Sequence, residues 1–140
     1  MALVYFDASA LVKLCVREPG SELASALWNR ADVVVTSCLS DVELRATLAA
    51  GGRAGVLDDA ARRRAAERWD ALWPALHRVE LTESLAGSAS ALAGGPHPLR
   101  GADAVHLASA LAVAGPDTLV AAWDEGVASA ARSHGLRVLP

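Results

Sequence analysis

The sequence predicts an α/β fold in which a parallel sheet is covered by helices on both faces. Short apolar runs alternate with longer stretches of helical periodicity along all 140 residues. No internal repeat, low-complexity tract or shift in composition divides the chain. We therefore expect residues 1–140 to form a single domain, long enough to bury a core without disulfides.

The first elements are a strand and two helices. Residues 2–6 are apolar and typical of a buried parallel strand. Ser9 is expected to cap a helix that runs to about Cys15, since serine is a favoured N-cap residue. Pro19 and Gly20 then open a second helix.

The next strand and helix follow the same order. Residues 33–36 are mostly β-branched, which favours a strand. Ser40 is expected to begin a helix that Gly51 and Gly52 end.

Residues 57–76 carry an apolar stripe at helical spacing. Pro74 should end or kink this helix near Trp73. Trp69 and Trp73 lie one turn apart, where core packing is the simpler interpretation and contact with a partner is the alternative. The basic run 62–64 lies on the opposite face and predicts a solvated surface.

The remaining segments continue the alternation and contribute three strands. The predicted strands are residues 78–81, 119–123 and 136–139, and the predicted helices are residues 83–93, 103–114 and 125–133. Residues 94–98 contain two glycines and two prolines and are expected to form a loop.

Composition excludes several classes of protein. Apolar residues make up 53% of the chain, which argues against disorder. With 13 basic and 16 acidic residues the net charge is −3, which excludes a simple polybasic nucleic-acid binder. Cys15 and Cys38 have no disulfide or zinc spacing and are expected to be small buried residues of a cytoplasmic protein. We expect no signal peptide and no membrane span.

Four acids stand where a parallel sheet forms its sites, beyond the carboxyl ends of the strands. Asp7 and Asp124 end predicted strands, and Glu43 and Asp103 lie in the first turns of predicted helices. Each also has a structural interpretation. Ser40 and Glu43 fit a capping box, and the other three acids fit helix N-termini.

Two arguments favour a functional interpretation of these acids. A carboxylate directly after a buried strand, as at Asp7, is unfavourable unless something compensates its charge. Acids that converge on one sheet edge also repel each other, and a divalent cation relieves that repulsion. An oxygen-only ligand set suits Mg²⁺ or Mn²⁺.

Four segments together resemble the PIN domain, and the size and pattern are most similar to VapC-type toxins of bacterial toxin–antitoxin pairs. The segments are residues 5–14 (YFDASALVKL), 40–46 (SDVELRA), 99–108 (LRGADAVHLA) and 123–138, which begin with WD and end with GLRV. They span nearly the whole chain in the family's order. The resemblance implies a PIN-like three-layer α/β/α sandwich with a central, mainly parallel five-stranded sheet.

The resemblance implies a metal-dependent endoribonuclease. Asp7, Glu43 and Asp103 would be the core metal-binding and catalytic carboxylates, and Asp124 would match the fourth acid. The family often has Thr or Ser two residues before that fourth acid, where this chain has Ala122. The metal would be Mg²⁺, with Mn²⁺ as a substitute.

Substrate contacts are assigned to polar residues beside the motifs. Ser9 matches a hydroxyl that the family places near its site, and its alternative is helix capping. Lys13, Arg45 and Arg100 are candidate phosphate contacts, with solvated surface residues as the alternative. His106, three residues after Asp103, is interpreted as a packed core histidine.

The resemblance also implies partners. These are an RNA substrate, a cognate VapB-type antitoxin that fills apolar grooves, and a second copy of the chain in a homodimer.

Other classes fit less well. A haloacid dehalogenase-type phosphatase requires a second acid two residues after the first, where Ser9 stands. A phospho-receiver domain requires an adjacent acidic pair after the first strand, which is absent. A catalytically degraded PIN fold acting as a binding module stays open because of Ala122.

Overall fold

The computed structural model describes residues 1–140 and contains five strands and seven helices. The strands are β1 (Leu3–Phe6), β2 (Val33–Ser37), β3 (His77–Val79), β4 (Thr118–Ala121) and β5 (Arg137–Leu139). The helices are α1 (Ala8–Cys15), α2 (Ser21–Arg30), α3 (Ser40–Arg53), α4 (Asp59–Leu72), α5 (Glu83–Ala93), α6 (Gly101–Val113) and α7 (Glu125–Ser133), and a short 3-10 helix covers Trp73–Ala75.

The strands form one sheet in the order β3-β2-β1-β4-β5, and all four pairings are parallel. The alternation of side chains along β1 shows how the layers form. Val4 and Phe6 pack with α1–α4, whereas Tyr5 packs with residues of α6 and α7 on the other face. The predicted three-layer α/β/α sandwich with a five-stranded sheet is therefore confirmed.

Two predicted helix caps are wrong, for local reasons, although α3 does begin at Ser40 as predicted. Helix α1 begins at Ala8 rather than at a Ser9 cap, because the Asp7 carboxylate accepts a hydrogen bond from the Ala10 N–H and is itself the N-cap. The Ser40–Glu43 capping box does not form. The Ser40 hydroxyl instead bonds the Thr36 hydroxyl at 2.6 Å in the interior, and α3 begins without a side-chain cap.

Other boundaries shift by a few residues. Helix α4 begins at Asp59, because Asp58 caps it, and it ends before the Pro74-containing 3-10 helix. Strand β3 begins at His77, one residue before the predicted start, and β4 ends at Ala121, two residues before the predicted end.

The interior follows the predicted apolar stripe. Trp69 is fully buried, and its ring lies 5.2 Å from the ring of Trp73 at a tilt of 43°. The two cysteines are free and only half-buried, so the prediction of full burial is wrong for both. Burial nevertheless raises the pKa of the Cys15 thiol to about 12, which makes it a poor nucleophile. None of the helices has the length and apolar content that a membrane crossing requires.

Candidate active site

All four predicted acids line one open cleft at the carboxyl edge of the sheet. Asp7 follows β1 directly, and Asp124 lies between β4 and α7. Glu43 and Asp103 lie in the first turns of α3 and α6. Because β1 and β4 are adjacent and α3 follows β2, the topology brings together acids that are far apart in the sequence.

Asp7 is the buried acid of this cleft, with only 3% of its surface exposed. It accepts hydrogen bonds from the Ser9 hydroxyl at 2.6 Å and from the Ala10 N–H at 2.9 Å. Burial nevertheless raises the pKa of the Asp7 carboxyl to about 6, and the charge of Asp124 adds to that effect. The two hydrogen bonds therefore compensate the buried charge only in part.

Asp103 and Asp124 share one cation. Arg100 donates from Nε to Asp103 at 3.0 Å and from Nη2 to Asp124 at 3.2 Å. Its hydrogen bond to Asp103 and the charges of both acids raise the pKa of the guanidinium. Asp124 also accepts from the Val127 N–H at 3.0 Å, so the predicted capping of the last helix coexists with a position in the cleft.

Glu43 contacts a histidine that sequence reasoning assigned to the core. His106 is buried, as predicted, and its Nε2 lies 2.6 Å from Glu43 Oε1. Its Nδ1 lies 2.8 Å from the hydroxyl of Tyr5, which is buried on β1. No sequence pattern joins Glu43 to His106. The spacing of three residues between Asp103 and His106 indicates only that the histidine lies on the side of the helix that carries Asp103.

The structure separates the other candidates into two groups. Ser9, Lys13 and Arg100 line the cleft with the acids, whereas Arg45 is not among the lining residues. The Arg45 guanidinium instead pairs with Asp41 at 3.0 Å and with Asp70 at 2.7 Å.

Lys13 is held firmly within the cleft wall. Its Nζ donates to Glu18 at 3.0 Å and to the Pro19 carbonyl at 2.8 Å, and it lies 5.3 Å from the centre of the Trp123 ring. Those contacts fix the α1–α2 loop against the cleft and leave 13% of the Lys13 side chain exposed.

The chemistry of the donor set fits a hard divalent cation, because the cleft offers five carboxylates, those of the four predicted acids and of Glu18, and no thiolate. In this conformation, however, no three His, Cys, Asp or Glu side chains form a ready-made metal site. Arg100 engages Asp103 and Asp124, and His106 engages Glu43. The four acids therefore line the same cleft, as predicted, but they do not form a cluster. Their side chains would have to rearrange to bind one ion together.

Comparison with known proteins defines the class of this fold and cleft. Residues 4–138 match the PIN domain family. The chain is 49% identical over 140 residues to ribonuclease VapC49 of Mycobacterium tuberculosis strain H37Rv, and the alignment covers 100% of this chain and 96% of that protein. The chain therefore belongs to the PIN domain family. Within the family it is a VapC-type member.

Solved structures agree with this fold at much lower sequence identity. The chain matches FitAcB from Neisseria gonorrhoeae with a TM-score of 0.71 at 18% identity, covering 98% of this chain and 96% of that one. It matches the sarcin-ricin loop cleaving toxin VapC20 of Mycobacterium tuberculosis with a TM-score of 0.66 at 17% identity, covering 91% and 94%.

Proposed function

We propose that this protein is a metal-dependent endoribonuclease and the toxin of a VapBC-type toxin–antitoxin system. The observation that carries the proposal is the convergence of Asp7, Glu43, Asp103 and Asp124 on one open cleft. The full-length similarity to a protein named a ribonuclease supports RNA as the substrate.

The four acids would hold one or two Mg²⁺ ions, with Mn²⁺ as a substitute. An ion bound there would lower the pKa of a water molecule and neutralise charge on the phosphate that is cut. The high pKa of the Asp7 carboxyl supports this assignment, because a nearby cation would restore its ionised form.

The protein's own residues orient these ligands. Ser9 and the Ala10 N–H hold the Asp7 carboxylate, and the Val127 N–H holds that of Asp124. Arg100 would leave the acids when a cation binds and would then contact a substrate phosphate. The Arg100 side chain is 79% exposed, which leaves room for this movement. Ser9 and Lys13 remain proposed substrate contacts of lower rank. Arg45 is the weakest of the predicted contacts, because it lies outside the cleft and pairs with Asp41 and Asp70.

We further propose a VapB-type antitoxin and a second copy of the chain as protein partners, in the cytoplasm. The free thiols of Cys15 and Cys38 agree with a reducing compartment. Coexpression with a short open reading frame encoded next to the gene would test the antitoxin, and analytical ultracentrifugation would test the homodimer.

RNA cleavage by the partner-free protein tests the enzyme. Total RNA is incubated with the purified chain in Mg²⁺ and in EDTA, and we expect fragments only in Mg²⁺. Asp7→Ala and Asp103→Ala should abolish cleavage, whereas Asp58→Ala, a helix cap outside the cleft, should cleave like the unmodified chain. Intact RNA in every lane would refute the nuclease.

The alternative is a catalytically degraded PIN fold that binds RNA or protein. Ala122 favours it, because a hydroxyl common in the family is missing beside the fourth acid. RNA retained on the protein in a gel-shift assay, without cleavage in either metal, would support this alternative.

A further inference from the structure

Glu43 differs from Asp7 and Asp124 in how its carboxylate is held. Asp7 and Asp124 each accept a hydrogen bond from a backbone N–H, which fixes them to the fold. Glu43 has one hydrogen-bond partner in the protein, the imidazole of His106, which contacts Oε1. The direction of the Glu43 carboxylate therefore depends on a single side chain.

A buried tyrosine faces the other nitrogen of that imidazole. Tyr5 and His106 are each 1% exposed, and their rings meet edge to face with centroids 6.0 Å apart. A phenol keeps its proton at neutral pH, so the Tyr5 hydroxyl is available as a donor. The phenol can then donate to Nδ1 at 2.8 Å, which leaves the imidazole proton on Nε2.

A neighbouring hydroxyl is occupied elsewhere. Ser109, one turn further along α6, donates to the Val105 carbonyl at 2.7 Å. With the Ser109 proton on the Val105 carbonyl, the order that satisfies both contacts of the imidazole is Tyr5 O–H to Nδ1 and Nε2–H to the Glu43 carboxylate.

We propose that His106 is a positioning residue, which Tyr5 holds as the Nε2–H tautomer so that this N–H orients the Glu43 carboxylate for a divalent cation. The inference rests on the proposed function and assigns it two further residues, both of which are buried. Hydrogen-bonded partners of metal ligands often raise metal affinity by 10- to 100-fold, because they fix the direction of the ligand.

Metal binding without RNA tests the first half of this proposal. Mn²⁺ is titrated into the full chain by isothermal titration calorimetry. We expect His106→Leu to weaken binding about 10- to 100-fold. His106→Gln should recover most of that loss, because its amide N–H can donate to Glu43 in place of Nε2–H.

A matched control separates this effect from a general loss of a histidine. His134 also makes a hydrogen bond, in which its Nδ1–H donates to the Ala130 carbonyl at 2.9 Å, and it lies outside the residues that line the cleft. His134→Leu should bind Mn²⁺ like the unmodified chain. Circular dichroism of each variant shows that it is folded.

Nitrogen NMR of the imidazole tests the second half without any metal. We expect the Nε2 of His106 to resonate as a protonated nitrogen and Nδ1 as an unprotonated one. Tyr5→Phe should weaken this preference, because no donor then faces Nδ1 and only the Glu43 carboxylate still favours Nε2–H. It should also weaken Mn²⁺ binding.

The outcomes separate this inference from the proposed function. Equal Mn²⁺ affinity of folded His106→Leu and the unmodified chain would overturn the positioning role while leaving the metal-dependent nuclease intact. A proton on Nδ1 alone would overturn the assignment of Tyr5. Failure of the unmodified chain to bind Mn²⁺ or Mg²⁺ would overturn both proposals.

Discussion

The Ser9 hydroxyl accepts a hydrogen bond from the Trp123 backbone N–H at 3.0 Å, although the two residues lie 114 positions apart in the sequence. The same hydroxyl donates to Asp7 at 2.6 Å. The bond therefore joins the chain just after β1 to the chain just after β4, and it fixes Asp7 close to the residue that precedes Asp124. This proximity explains why the charge of Asp124 contributes to the high pKa of Asp7.

The raised pKa of Asp7 predicts that Asp7→Asn stabilises the metal-free protein above about pH 6. Its folded value of about 6 lies above the ordinary value of 3.8, so the folded state binds more protons between these two pH values. The contribution of Asp7 to the free energy of unfolding is then greatest below about pH 4 and is lost as the pH rises through 6. The shift corresponds to an upper limit of about 3 kcal/mol at pH 8, which asparagine would recover because it can still cap α1.

Urea unfolding in EDTA at several pH values measures this effect. Asp58→Asn is the control, because Asp58 also caps a helix by accepting from a backbone N–H, at 2.7 Å, but is exposed. We expect no pH-dependent gain for that variant. An Asp7→Asn protein that is less stable at pH 8 than the unmodified chain would contradict the assignment.

Removal of Arg100 is expected to strengthen the binding of Mg²⁺. The guanidinium engages both Asp103 and Asp124, so a cation must displace it. Arg100→Gln should therefore bind Mg²⁺ about three- to tenfold more tightly, since exposed ion pairs are individually weak. Calorimetric titration checks the affinity, and Arg63→Gln, on the outer face of α4, serves as the control. Unchanged or weaker Mg²⁺ binding would show that Arg100 does not compete with the ion.

Gly20 is expected to tolerate alanine poorly because of its close approach to the cleft wall. Its φ is +95°, and a Cβ there would lie 2.7 Å from Trp123 Nε1 and 2.9 Å from Lys13 Cδ. Gly55 has a φ of +75° with nothing within 4 Å of its Cβ position, so Gly55→Ala measures the backbone strain alone. Gly20→Ala should be less stable than Gly55→Ala by about 1 to 3 kcal/mol in thermal unfolding. Equal losses would mean that the Trp123 side chain moves aside freely.

The buried indole of Trp69 should be more sensitive to substitution than that of Trp73. Trp69 Nε1 donates to Asp41 at 2.8 Å, and the same carboxylate pairs with Arg45. Trp69→Phe loses this bond as well as ring volume. Trp73→Phe, in a half-buried position, loses ring volume and only weakens the cation–π contact with Arg78, which lies 4.8 Å from the ring centre. We expect Trp69→Phe to be less stable by about 1 to 3 kcal/mol more than Trp73→Phe, measured by denaturant unfolding.

Periodicity was sufficient to predict the sheet and its helices, because apolar spacing depends on which face each element buries. The predicted strand ends and helix starts then identified the four acids. A carboxylate directly after a buried strand, as at Asp7, is unfavourable unless its charge is compensated. Side-chain pairing was less accessible to sequence reasoning. The expected Ser40–Glu43 box was a local pattern, and the interior offered both residues stronger tertiary partners, Thr36 and His106.

Long-range charge pairs were equally hidden in the sequence. The residues beside Arg100 in the sequence indicate only a surface position. The fold shows that Asp124 lies within hydrogen-bond distance of it. Arg45 shows the reverse case. It follows Glu43 by two residues, so the helix directs it away from the cleft and toward Asp70.

The strand order has a consequence for synthesis on the ribosome. The central strand β1 is among the first segments made, but one of its two neighbours, β4, begins only at Thr118. Until that segment leaves the exit tunnel, β1 has an unpaired edge. Asp124 and the Trp123 N–H that binds Ser9 cannot yet reach the rest of the fold. A chain that stalls earlier during translation therefore has no complete cleft, and the proposed nuclease would emerge beside the ribosome's own RNA in an incompetent form.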